Sequence, residues 1–144
     1  MNHRSFIRQL DGKKIVTAIA EAERRTSGEI RVFVSHRKIQ NALARAEKRF
    51  VELGMTQTVA RNAVLIYLAP RARTFAVIGD SGVHEKCGDA SWTEVCSHLS
   101  HGLKSGSATA AITAVISKIG DLLAAHFPPA LGDKNELPNQ IEHD

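Results

Sequence analysis

NAVLIYLAPRARTFAVIG, residues 62–79, is the stretch that decides how this chain folds. After Asn62 it is apolar without a break to Ala69, the pattern of a central strand covered on both faces. Pro70-Arg71-Ala72 makes a short turn, and Arg73 to Gly79 returns as another β-branched, aromatic run. Two strands joined this closely form an antiparallel hairpin.

Working outward, Ile39 to Leu53 carries Ile39, Leu43, Ala46, Phe50 and Leu53 on one helical stripe, with Gly54 placed as a stop. Glu29 to His36 sets Ile30, Val32 and Val34 against Glu29, Arg31 and Phe33, a strand with one well-buried face. Asp11 to Arg25 is an amphipathic helix through Ile15, Ile19 and Ala22, ended by Thr26-Ser27-Gly28. Strand, helix, strand implies parallel pairing through a right-handed crossover. On the other side, Ala90 to Lys104 buries Trp92, Val95, Cys96, Leu99 and Leu103, and Ser105-Gly106 breaks it. Ser107 can cap a last helix carrying Ile112, Val115, Ile116, Ile119, Leu123 and Phe127, which Pro128-Pro129 stops. The expected fold is α/β, a three-layer α/β/α sandwich with a small mixed sheet flanked by helices. It divides into an N-terminal extension (1–10), a domain (11–127) and a polar, disordered tail (128–144).

At 144 residues and 43% hydrophobic, the chain can build a single core. Its longest wholly apolar run, Ala63 to Ala69, falls far short of the roughly 20 residues a membrane helix needs. The basic start lacks an apolar h-region, so no export signal and no membrane are expected, and the address reads as cytoplasmic. Two cysteines are too few for a disulfide framework. The net charge of +4 is uneven: past Pro128, Asp133, Glu136, Glu142 and Asp144 face only Lys134, which leaves the body more basic than the whole. With aromatics at 5% and no basic–aromatic interleaving, nucleic acid is not an expected partner.

Chemistry concentrates in IGDSGVHEKCGDASW, residues 78–92, a longer and more ionisable connection than a strand and a helix require. The topology places the starts of both parallel strands and the end of the hairpin on one sheet edge. Asp80, Asp89, Glu29, Asn62 and His84 are therefore the candidate metal ligands there, with Ser27 and Glu85 nearby. Carboxylate and amide oxygens suit calcium or magnesium better than zinc. Each residue also has a plainer role: Asp89 as a helix N-cap, Asp80 in a turn, Glu29 as a solvated edge charge, His84 on the surface. Cys87, Cys96, His98 and His101 match no zinc spacing, and Cys87 has no visible base to activate it. At the opposite edge, Arg37, Lys38, Arg71 and Arg73 form a solvated rim or a patch for an anion or partner.

RTSGEIRVFVS (25–35), RNAVLIYLAPRARTFAVIGDSGVHEKCGDASW (61–92) and LLAAHFP (122–128) together resemble the TPM domain family, most closely its short, soluble bacterial members. That resemblance implies an α/β/α sandwich and, from some members, divalent-cation binding or acid phosphatase activity. The metal role carries over to Asp80 and Asp89, and less directly to Glu29 and Asn62. Longer members place a glutamate where Gly82-Val83 is followed here by His84, which would weaken a calcium site. The function expected is thus a divalent-cation-binding domain of open cellular role. The alternatives are a metal-dependent acid phosphatase, in which Arg61 or Arg25 could clamp phosphate, and a non-catalytic protein-interaction module.

Overall fold

The computed structural model describes residues 3–129 and 137–144. A short helix α1 (His3–Gln9) is followed by α2 (Gly12–Arg24), strand β1 (Glu29–Val34) and α3 (Ala42–Glu52). A hairpin of β2 (Ala63–Ala69) and β3 (Thr74–Gly79) turns through a 3-10 turn at Pro70–Ala72. Then come α4 (Ser81–Cys87), α5 (Asp89–Ser105), α6 (Ala108–His126) and a two-residue strand β4 (Glu142–His143). Sheet order is β3-β2-β1-β4, with β1 parallel to both β2 and β4, and β3 antiparallel to β2.

Side-chain alternation sorts the sheet into two covered faces. Ile30, Val32, Val34, Val64, Ile66 and Leu68 pack against the apolar faces of α2, α5 and α6. Phe33, Ala63, Leu65, Tyr67 and Ala76 pack against α3 through Ala46 and Phe50. The result is the expected three-layer α/β/α sandwich, three long helices on one side and one on the other. Helix α6 is long and apolar enough to cross a membrane by length and composition alone. Its Ile112, Val115, Ile116, Ile119 and Leu123 are buried in the core cluster that also takes in α2 and α5.

Several local expectations are corrected. Both faces of β1 are buried rather than one. Leu43 is exposed. The helix begins only at Ala42, after Asn41 caps it through Ala44 N, and the inward stripe runs through Ala42, Ala46, Phe50 and Leu53 instead. The segment after Asp80 is not a loop but α4. Asp80 has extended backbone and accepts from Ser81 N at 2.7 Å, while its carbonyl accepts from Val83 N and His84 N. Val83 supplies a single buried anchor, and Gly88 ends the helix at φ 81.

The end of the expected polar tail is also structured; residues 130–136 of that tail lie outside the described residues. Leu137 is buried in the α3-side core, and β4 pairs with the end of β1. Glu142 bonds Arg31 at 2.5 Å, and Asp144 accepts from the Ser35 hydroxyl and His36 N–H, both at 2.7 Å. These three anchors, Leu137 and the carboxylates of Glu142 and Asp144, are what a composition-based reading of the tail overlooks. Burial alone would raise the Asp144 pKa, but the His36 N–H, the Ser35 hydroxyl, Arg37 and Arg49 outweigh it, and the net shift is downward. A depressed folded value means the contact is at full strength above the unfolded value, roughly 3.9, and is lost as pH falls through the folded one. In an NMR acid titration, the Asp144 side chain and the His36 amide are therefore expected to share a midpoint below that value. A midpoint at or above it would contradict the attachment.

Candidate functional site

Three of the five candidate ligands come together at the predicted edge. Glu29 N–H donates to the Asn62 carbonyl at 3.3 Å, and Asp80 N–H donates to the Ala63 carbonyl at 2.9 Å. Glu29 is thus paired with Ala63 in register, and Asp80 lies on the other side of the same residue. All three side chains are buried: Glu29 is 2% exposed, Asn62 1% and Asp80 6%. The expectation that Glu29 is a solvated edge charge is therefore corrected. At this end β1 has β2 as its sheet neighbour, β4 pairing only with Phe33 and Val34, while Glu23 accepts from the Ile30 N–H at 2.9 Å.

Asn62 is held by its backbone N–H to the Thr58 hydroxyl at 3.3 Å and by its amide nitrogen to Ser27 Oγ at 3.4 Å. Its Oδ1 is buried with no hydrogen-bond partner among the described residues. A buried amide oxygen left in this state costs about 1–3 kcal/mol. Asp80 is fully engaged. Arg61 Nε and Nη2 donate to its two oxygens at 2.7 and 2.8 Å, a bidentate fork, and Ser81 N–H adds a third bond. Asp80 in turn raises the Arg61 pKa, through that hydrogen bond first and its charge second. Arg61 reaches this position from left-handed backbone, φ 52, with its N–H bonded to the Thr58 carbonyl. Its side chain remains half-exposed.

The other two candidates are exposed, unlike these three. His84 is exposed on α4 and lies edge-on to Trp92, ring centroids 5.5 Å apart. Asp89 is exposed and is the first residue of α5; Gly88, not Asp89, occupies the cap position. The whole of α4, seven residues and roughly 10 Å of rise, lies between Asp80 and Asp89 in the chain. Among the described residues no group of three or more His, Cys, Asp or Glu side chains is arranged to hold a metal ion. Cys87 and Cys96 are half-buried, and burial pushes both thiols up, against nucleophilic use. Arg25, the other candidate clamp, is ion-paired with Asp121. The Arg61–Asp80 fork is the feature that sequence reasoning missed, since nothing in the pattern announces a left-handed arginine 19 positions before its carboxylate.

The basic rim divides between two places. Arg73, also left-handed at φ 52, borders an apolar cavity with Phe6, Phe75 and Leu103. Arg37 joins a polar pocket with α3 residues.

A TPM domain model matches residues 2–122 of the chain. Among solved structures, the NMR structure of the BA42 protein from the psychrophilic bacterium Bizionia argentinensis is similar, with a TM-score of 0.86 and 35% sequence identity. The likeness covers 94% of this chain and 95% of that one. No curated protein matches the sequence.

Proposed function

The chain belongs to the TPM domain family, and from that premise we propose that it is a binding domain for a hard divalent cation, calcium or magnesium rather than zinc, at the edge formed by Glu29, Asn62 and Asp80. The observation that supports this most is Asn62 Oδ1, a buried oxygen without a donor in a region that also buries two carboxylates. An electropositive ion is the partner such a set of oxygens suits. Asp80 is now served by Arg61, so cation binding would exchange one positive partner for another. The half-exposed Arg61 side chain can turn to water with little loss. His84 and Asp89, exposed on α4 and α5, would reach the ion only through water.

Binding has more support than catalysis. A cation at Asp80 could polarise a phosphomonoester, but both thiols are held protonated.

Calcium and magnesium titrations at constant ionic strength, followed by amide NMR, are expected to shift residues 27–29, 61–63 and 80–82. Asn62→Ala and Asp80→Asn should each weaken binding by about tenfold or more, roughly the worth of one ligand bonded to a charge. Arg61→Gln, which removes the competing cation, should tighten it. Shifts confined to other regions, or affinities unchanged in both ligand variants, would sink the reading.

A further inference from the structure

The opposite edge of the sheet holds a second, chemically different pocket. Its volume is about 250 Å³, and it is lined by Arg37, Arg45, Lys48, Arg49, Glu52 and Tyr67. The α3 contribution follows from spacing: positions 45, 48, 49 and 52 fall on one helical stripe, so three cations and one carboxylate are presented together. Arg49 is fixed in place, its guanidinium 4.6 Å over the Phe33 ring and 3.6 Å from Glu52. Arg37 arrives from the loop after β1, at the C-terminal ends of the parallel strands where open α/β sheets bind ligands.

Two further observations indicate an anion. Tyr67 is 2% exposed yet lines the pocket, and among the described residues its ring stacks on Phe33 while no hydrogen bond engages its hydroxyl. Beside the pocket, one carboxylate is already seated: Asp144 accepts from Ser35 and His36 and lies 3.9 Å from Arg37 Nε. Ser35 is itself fully buried, so this is a built cradle and not a chance surface contact.

We propose that this pocket binds a small oxyanion carrying two negative charges, a phosphate or a dicarboxylate. Arg37, Arg45, Lys48 and Arg49 form its cationic wall and Tyr67 its hydroxyl donor, and Asp144 is the internal anion that competes at its rim. The pocket's cations exceed its one carboxylate by three, so a dianion balances it better than a single charge. The site is separate from the cation edge and does not rest on it.

The test uses the full chain, titrated by NMR with inorganic phosphate and, separately, with succinate, against sodium chloride of equal ionic strength. Saturable shifts at 35–37, 45–52 and Tyr67 with either anion support the proposal, and which anion binds tighter identifies the class. Asp144→Asn should bind about fivefold tighter and Arg45→Gln/Lys48→Gln about fivefold weaker, the scale of one partly exposed charge contact. Tyr67→Phe should weaken binding with little change in unfolding midpoint, which separates the hydroxyl from the ring's packing. Shifts that follow ionic strength alone, or an Asp144→Asn affinity equal to that of the unaltered chain, overturn it.

Discussion

Gly82→Ala is expected to lower stability by about 2 kcal/mol and to pull the Arg61–Asp80 fork apart. A Cβ at Gly82 would lie 2.5 Å from the Ala60 carbonyl oxygen and 2.6 Å from that of Arg61. Both are backbone atoms, so no side-chain rotation can relieve the overlap. The Gly82 N–H also bonds the Arg61 carbonyl at 2.9 Å, which fixes α4 against the loop at this distance. Two effects compete. Alanine is favoured over glycine within a helix by up to about 1 kcal/mol, whereas overpacking costs about 3 kcal/mol when the neighbours are rigid. The clash wins, and the loop from Thr58 to Asn62 must shift. Urea unfolding would show the drop in midpoint, and NMR the displaced Arg61 side chain. Gly12→Ala is the control, since its new methyl would meet only the end of Ile141 at 4.0 Å. Equal midpoints for Gly82→Ala and the unaltered chain would show that α4 is free to move.

Glu142→Ala should cost about 3 kcal/mol, close to 8 °C in melting temperature for a domain of this size. Arg31 is 3% exposed, and its Nε has no partner among the described residues, so Glu142 carries the compensation of a buried charge. Removing one member of such a pair leaves the other stranded. The carboxylate itself is partly exposed, which holds the figure at the lower end of the range. The decisive comparison is Arg31→Met, alone and with Glu142→Ala. If the penalty comes from the stranded guanidinium, the double variant should be more stable than Glu142→Ala alone. Additive losses would mean that the strand pairing, and not the charge, holds the segment down.

Most of the sandwich was legible because it is built from long, periodic elements. The unbroken run at 63–69 gave the inner strand, and the residues expected to line α2 and α6 are all buried. What escaped was short or depended on distant partners. Helix α4 has seven residues and one buried anchor, too few to produce a period. Strand β4 has two residues, and its attachment relies on Arg31, Ser35 and His36 far along the chain. The same distinction explains the candidate site. Topology correctly gathered Glu29, Asn62 and Asp80, because strand ends follow from strand order. His84 and Asp89 are exposed, and their positions depend on the direction in which an unforeseen helix leaves the edge.

The late arrival of β4 has a consequence in time. Ser35 and Asp144 are separated by 109 positions, so during synthesis β1 is complete long before its outer neighbour exists. In that interval β1 can pair with β2, and β2 with β3, but the far side of β1 stays open. An open strand side invites pairing with other nascent chains, and a charge on the strand discourages it. Arg31, awkward to bury later, would then serve as a guard on the unfinished sheet. Glu142 relieves it once β4 pairs with β1. The entropic penalty for so distant a closure grows only by about 0.6 kcal/mol per doubling of the loop. The chain can therefore defer this last pairing at modest expense, and the charge that protects the growing sheet becomes the anchor that completes it.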